Sequence, residues 1–141
     1  ISANASETEI NALKSFGTNF GMTFQLVDDA IDYSSNRNIL GKNIGDDFKE
    51  GKITLPIILA YGRSNESEKK FWKRTISDLE QEDGDFDFAL EIINKYQCIE
   101  DTTKRANHFS NVAIDAIDMF KNNQYKEKLV SLVSTSISRI Y

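Results

Sequence analysis

The stretch Phe24-Gln25-Leu26-Val27-Asp28-Asp29-Ala30-Ile31-Asp32 decides how this chain is read. Around it, Leu13, Phe16, Phe20, Phe24, Val27 and Ile31 recur at the spacings of three and four that mark an amphipathic helix. Gln25, Asp28, Asp29 and Asp32 fall at i, i+3, i+4 and i+7, a polar stripe on one face of that helix. Ser34, Ser35 and Asn36 end the pattern, so the acids occupy its last two turns. A helix C-terminus is the negative pole of the backbone dipole and disfavours a carboxylate by about 0.3–1 kcal/mol. Like charges at i,i+4 add about 0.2–0.5 kcal/mol per pair. Acids set against their own helix in this way point to a cation beside them.

The composition narrows what that cation serves. A chain of 141 residues is one domain's worth and can bury a core. Net charge is −5 with no run of Lys or Arg, which excludes nucleic acid and anionic membrane surfaces as general partners. Cys98 is the sole cysteine, so there is neither a disulfide framework nor a thiolate metal cage. The longest apolar run, Ile53 to Tyr61, is far too short to span a bilayer, and no basic-then-apolar targeting segment opens the chain. The cytoplasm is the default compartment. The first residue is Ile1 rather than Met, as in a fragment or processed product.

Outward from the acidic stripe, helical periods dominate. The spacing predicts a first helix over residues 6–33, with Gly17 and Gly21 one turn apart for close approach of another helix. Residues 34–52 have no periodicity and hold Gly41, Gly45 and Gly51; a loop this long in a compact domain tends to be functional or disordered. Ile53 to Tyr61 is apolar on every side and reads as a buried helix capped by Thr54, with Pro56 in its first turn. Four more helices follow at about 66–79 (Trp72, Ile76 and Leu79 inward), 85–96, 100–120 and 124–140 (Tyr125, Leu129, Leu132 and Val133 aligned). Short connections of this kind join antiparallel neighbours, so the fold class is all-α, an antiparallel helical bundle.

Three carboxylates on one helical face suit Mg2+, which takes oxygen ligands and usually keeps one or two carboxylates plus waters and substrate phosphates. No histidine or thiolate stands nearby, which disfavours zinc. Lys42 and Lys52 bracket Gly45-Asp46-Asp47-Phe48 and can fold back toward the acids as compact point charges for phosphate oxygens. Carboxylate-held magnesium on one side and lysines on the other make a diphosphate-binding arrangement. Taken singly, each feature has a plainer reading as a solvated helix face or an ordinary exposed loop. Gln25 extends the stripe, apolar residues flank it tightly and the lysines stand beside it, so together they favour the metal–diphosphate reading. Other candidates fail. Asp83-Gly84-Asp85-Phe86-Asp87 starts like a calcium loop, yet Phe88 stands where glycine is required and Asn94 where the closing acid belongs, so these acids read as a helix start. His108 lacks any nucleophile or second ligand, and Cys98 reads as a small core residue.

In order and spacing, Gly21-x-x-Phe24-Gln25-x-x-Asp28-Asp29-x-x-Asp32, then Gly41-Lys42, Gly45-Asp46-Asp47 and Gly51-Lys52-x-Thr54-Leu55-Pro56, resembles the second aspartate-rich region of the trans-polyprenyl diphosphate synthases. The GDDFKEGKITLP stretch and Phe71-Trp72-Lys73-Arg74 look most like the long-chain octaprenyl and decaprenyl members, whose products become ubiquinone side chains. A weaker likeness continues through Glu100-Asp101-Thr102 and Arg105-Ala106 to Tyr141 and covers essentially the whole chain.

The resemblance implies the C-terminal part of the isoprenoid synthase fold and a Mg2+-dependent prenyltransferase. In it, Asp28 binds Mg2+ directly, with Asp29 and Asp32 ligating or supporting through water. Gln25, Lys42 and Lys52 contact the diphosphate of an allylic substrate such as farnesyl diphosphate, which condenses with isopentenyl diphosphate. No side-chain nucleophile is needed. The resemblance also implies a homodimer that delivers a long apolar product to the membrane. The family's first aspartate-rich motif and a Lys-Thr pair have no counterpart among these 141 residues. The expectation is therefore the C-terminal half of such an enzyme, inactive alone and with an apolar face left uncovered. Two other readings compete. A terpene cyclase shares D-D-x-x-D but not the Lys42 loop or Gly51-Lys52-x-Thr54-Leu55-Pro56. A non-catalytic helical subunit or interaction module of a heteromeric prenyl synthase also fits a chain with one motif.

Overall fold

Helix α1 (Glu7–Asp32) opens on a capping box, in which Ser6 Oγ accepts the Glu9 N–H at 3.3 Å and Glu9 Oε2 accepts the Ser6 N–H at 2.7 Å. The computed structural model describes residues 4–34 and 45–140, and every regular element among them is helical. After α1 come α2 (Asp46–Lys49), α3 (Leu55–Arg63), α4 (Glu66–Trp72), a π-helical turn (Lys73–Ser77), α5 (Asp85–Lys95), α6 (Cys98–Ala116) and α7 (Gln124–Ser138). The all-α expectation holds, with boundaries within a few residues of those predicted.

The described residues form two compact units, one from the chain up to Val27 and from Lys104 onward, the other within Asp28–Thr103. In the first, Phe16 of α1, Ala113 of α6, Ile117 and Val133 of α7 make the core. In the second, Tyr33, Phe48, Ile57, Ala60, Phe71, Trp72, Ile76, Ile92 and Ile93 do so, with Cys98 among them. Burial pushes the Cys98 thiol up to about 11, consistent with an inert packing residue. The second unit carries the acids and the lysine-bearing segment.

Several details depart from the sequence reading. Gly17 and Gly21 have nothing within 4 Å of where a Cβ would stand, so among the described residues no helix packs on them. They lie on an exposed stripe of α1 with Ile10, Leu13 and Phe24. The Ile53–Tyr61 run is not buried on all sides: Pro56, Ile57 and Ala60 face inward, whereas Ile53, Ile58 and Tyr61 are exposed. The helix expected to run to Leu79 widens into the π turn, where the Asp78 N–H reaches back five residues to the Lys73 carbonyl at 3.0 Å. The wider turn ends the helical register, and Leu79 follows it with φ +56° and an exposed side chain. Tyr125 and Leu132 of α7 are likewise exposed. From within the π turn, Arg74 clamps Asp85 at the start of α5 through both guanidinium nitrogens (2.9 and 2.7 Å). The Arg74 charge holds the Asp85 carboxyl below the usual carboxylate range.

Candidate metal and diphosphate site

The acidic end of α1 gathers the segment that follows it. The backbone carbonyl of Asp32 accepts the Gly45 N–H at 3.1 Å, and its Oδ2 accepts the Asp47 N–H at 3.1 Å. One turn back, Asp29 Oδ2 accepts the Leu55 N–H, the first amide of α3, at 3.4 Å. Residues 45–55 are thus held to α1 near both ends. Between those ends α2 inserts Phe48 into the core against Phe86, at a ring separation of 5.6 Å. Gln81 Nε2 bonds the Phe48 carbonyl at 2.8 Å. Gly45 takes φ +80° with the Phe86 ring packed where a Cβ would stand, so only glycine fits there.

Lys52 Nζ lies 2.8 Å from Asp47 Oδ1 and 2.8 Å from Glu50 Oε2, with the lysine side chain about half exposed. These two hydrogen-bonded acids hold its pKa well above the ordinary lysine value, so it is cationic at any physiological pH. A chain of contacts therefore runs from Asp32 through Asp47 to Lys52. Asp28 is half-buried and Asp29 buried on α1. Gln25 is exposed on the preceding turn and belongs to the other unit. Lys42, with Gly41, lies outside the described residues.

Acids at the C-terminal end of a helix call for positive charge, and here the N-terminus of α3 supplies part of it by presenting its first amide to Asp29. A metal ion is not the only answer to that carboxylate. For the same reason Thr54 stands at the α3 N-cap position without capping through its hydroxyl. Asp29, twenty-five residues earlier in the chain, takes over that function. The sequence alone assigned no site role to Asp47, Glu50 or Tyr33. Asp47 and Gly51 stand within the motif that carries the resemblance, but nothing in a linear pattern shows that Asp47 bridges Asp32 to Lys52.

Tyr33 is buried beside the acids, and its hydroxyl faces that of Thr54 without the geometry of a hydrogen bond. Burial, and then the charges of Asp32, Asp47 and Asp29, push its pKa far up, so it stays a neutral phenol. Because an unmade buried hydrogen bond costs about 1–3 kcal/mol, Tyr33→Phe is expected to leave stability unchanged or to raise it. Urea unfolding checks this, and a clear loss would show that the hydroxyl has a partner.

Among the described residues no three His, Cys, Asp or Glu side chains are gathered into a metal cage. The donor chemistry still fits a hard cation, since every candidate atom is oxygen and Mg2+ needs only one or two carboxylates when substrate phosphates complete its shell. A carboxylate with about four lone-pair sites can accept one N–H and keep acceptor capacity.

Residues 1–93, well over half of the chain, match the polyprenyl synthetase family. The chain belongs to that family. Among polyprenyl synthetase relatives, the octaprenyl diphosphate synthase of Haemophilus influenzae is 36% identical over 141 residues, all of this chain and 43% of that protein. The decaprenyl diphosphate synthase structure from Rhodobacter capsulatus is 34% identical with a TM-score of 0.89, covering 97% of this chain and 42% of that one. A polyprenyl synthase from Caulobacter crescentus, solved with calcium and isoprenyl diphosphate, is 41% identical with a TM-score of 0.88, over 99% and 43% of the two chains. The chain thus spans less than half the length of these relatives. No helix among the described residues is long and apolar enough to cross a membrane.

Proposed function

We propose that the protein carrying this chain is a Mg2+-dependent prenyltransferase of the long-chain type. It would condense an allylic diphosphate such as farnesyl diphosphate with isopentenyl diphosphate into an all-trans polyprenyl diphosphate of the kind used for ubiquinone side chains. The observation that carries this reading is the attachment of the Lys52 segment to the acidic end of α1, which brings fixed cationic and anionic groups together in one unit. In it, Asp28, Asp29 and Asp32 form the metal-facing stripe, and Gln25, Lys42 and Lys52 meet the substrate diphosphate. Bound Mg2+ would supply the charge that neutralises the departing diphosphate. Lys52, permanently protonated, adds a point charge to the same oxygens and can exchange Asp47 and Glu50 for them. As the diphosphate leaves, the double bond of isopentenyl diphosphate attacks the allylic carbon, and proton loss gives a chain one isoprene unit longer. Stabilisation of the departing anion by fixed charges in a water-poor site carries the catalysis.

A homodimer, a cytoplasmic location and delivery of the product to membranes belong to the same proposal. So does inactivity of these 141 residues alone, since only one of the two aspartate-rich motifs is present. The test incubates the gene-encoded protein with farnesyl diphosphate, labelled isopentenyl diphosphate and Mg2+, and reads product length by chromatography. A metal-dependent ladder of long products is expected. No elongation would favour a non-catalytic helical subunit.

A further inference from the structure

The π turn is joined to the lysine segment through one side chain. Its third residue, Thr75, is fully buried, and the Thr75 carbonyl accepts Gln81 Nε2 at 2.9 Å. The same nitrogen donates to the Phe48 carbonyl at 2.8 Å, which also accepts the Gly51 N–H at 3.0 Å. A carboxamide nitrogen has two N–H groups and a carbonyl oxygen two lone pairs, so these bonds are compatible with one another. In a regular α-helix the Thr75 carbonyl would accept the N–H four residues on. The π turn ends that register and the carbonyl serves Gln81 instead. Beside the junction Gly51 takes φ +66°, with the Leu79 side chain packed where a Cβ would stand. Lys52 follows directly, and its N–H bonds the Asp47 carbonyl at 2.9 Å. The strap that carries Leu79 and Gln81 is itself braced, because Arg74 Nη1 donates to the Glu80 carbonyl at 2.7 Å and the Glu80 N–H to the Arg74 carbonyl at 2.9 Å.

Resting on the proposed diphosphate site, we infer that Gln81 is a positioning residue for Lys52. Its carboxamide pins the Phe48–Gly51 corner to the π turn, Leu79 closes over the glycine, and the lysine that follows is held in place for the diphosphate. All of these residues lie within one compact unit. The π turn thereby gains a part in substrate binding, in keeping with the frequency of single π turns at functional sites.

The experiment uses Gln81→Met, which keeps the reach of the side chain and removes both N–H donors, alone and combined with Lys52→Ala in the gene-encoded protein. It measures the affinity for inorganic pyrophosphate with Mg2+ by calorimetry, the urea midpoint, and amide hydrogen exchange at Gly51 and Lys52. Gln81→Met is expected to weaken pyrophosphate binding about fivefold to tenfold, the scale of one or two neutral hydrogen bonds, and to speed exchange at both amides. In the Lys52→Ala background the same substitution should change binding by less than about twofold, since residues that act through one another are not additive. Should Gln81→Met fail to fold, Leu79→Ala, at a mostly exposed side chain, removes the cover over Gly51 and is read in the same two backgrounds. Equal losses with and without Lys52, or a lower urea midpoint with unchanged binding and exchange, would make Gln81 a merely structural residue and overturn the inference. If the parent protein neither binds pyrophosphate nor turns over with Mg2+, the functional reading fails by itself, and exchange at Gly51 and Lys52 decides whether Gln81 places the lysine.

Discussion

In the gene-encoded protein, Asp28→Asn is expected to lower kcat/KM for prenyl transfer by at least about a hundredfold, the scale of weakening one preorganised electrostatic interaction with a departing anion, here through the cation that the carboxylate would hold. The substitution changes almost no volume, and Asp28 is only half-buried at the end of α1, so the fold should survive. What goes is one negative charge on the face carrying the polar stripe. Circular dichroism and the urea midpoint of the variant should match the parent, while the Mg2+ requirement rises. The same variant titrated calorimetrically with a non-hydrolysable allylic diphosphate should lose the Mg2+-dependent part of its binding. An unchanged Mg2+ response with normal folding would remove Asp28 from the site.

The largest structural effect is expected at Trp72. Its indole is almost fully buried, meets Phe71 edge-on at 5.2 Å, and donates its Nε1–H to Ser64 Oγ at 3.1 Å. Ser64 Oγ in turn donates to the Ala60 carbonyl at 2.8 Å, so the ring ties α4 to the C-terminal turn of α3. Trp72→Ala should destabilise the protein by about 3–5 kcal/mol through the cavity left behind. That is a large share of the roughly 5–15 kcal/mol that keeps a typical domain folded. Trp72→Phe should cost clearly less, because most of the volume is kept and the Ser64 hydroxyl retains its bond to Ala60. Urea unfolding of the three proteins ranks them, and equal losses for Phe and Ala would show that the indole N–H, not packing, carries the effect.

Much of the fold was legible because helices announce themselves locally. The repeat through Phe16, Phe20, Val27 and Ile31 locates α1, and the later helices follow from the same periodicity. The errors lie where tertiary context overrides local pattern. Ile58 and Tyr61 read as core because their neighbours are apolar, yet one face of α3 is exposed. The π turn at Lys73–Ser77 adds a residue to one helical turn without any compositional mark, so Leu79 was placed on the wrong side. At the site, residue types on a stripe could be listed from spacing, but their contacts could not. That Asp29 caps a helix beginning at Leu55, and that Asp47 relays Asp32 to Lys52, are contacts between residues well separated along the chain.

The doubly fastened segment also bears on how fast and how tightly an anion can be captured. A lysine on a slack tether samples many positions, and each ligand that arrives must freeze it, which subtracts conformational entropy from affinity. With both ends of residues 45–55 closed onto consecutive turns of one helix, and Phe48 anchoring the middle, that ordering is completed during folding. Under the proposed function, an incoming diphosphate would meet a charge already in place and would have only to displace Asp47 and Glu50 from it, an exchange of like for like between carboxylate and phosphate oxygens.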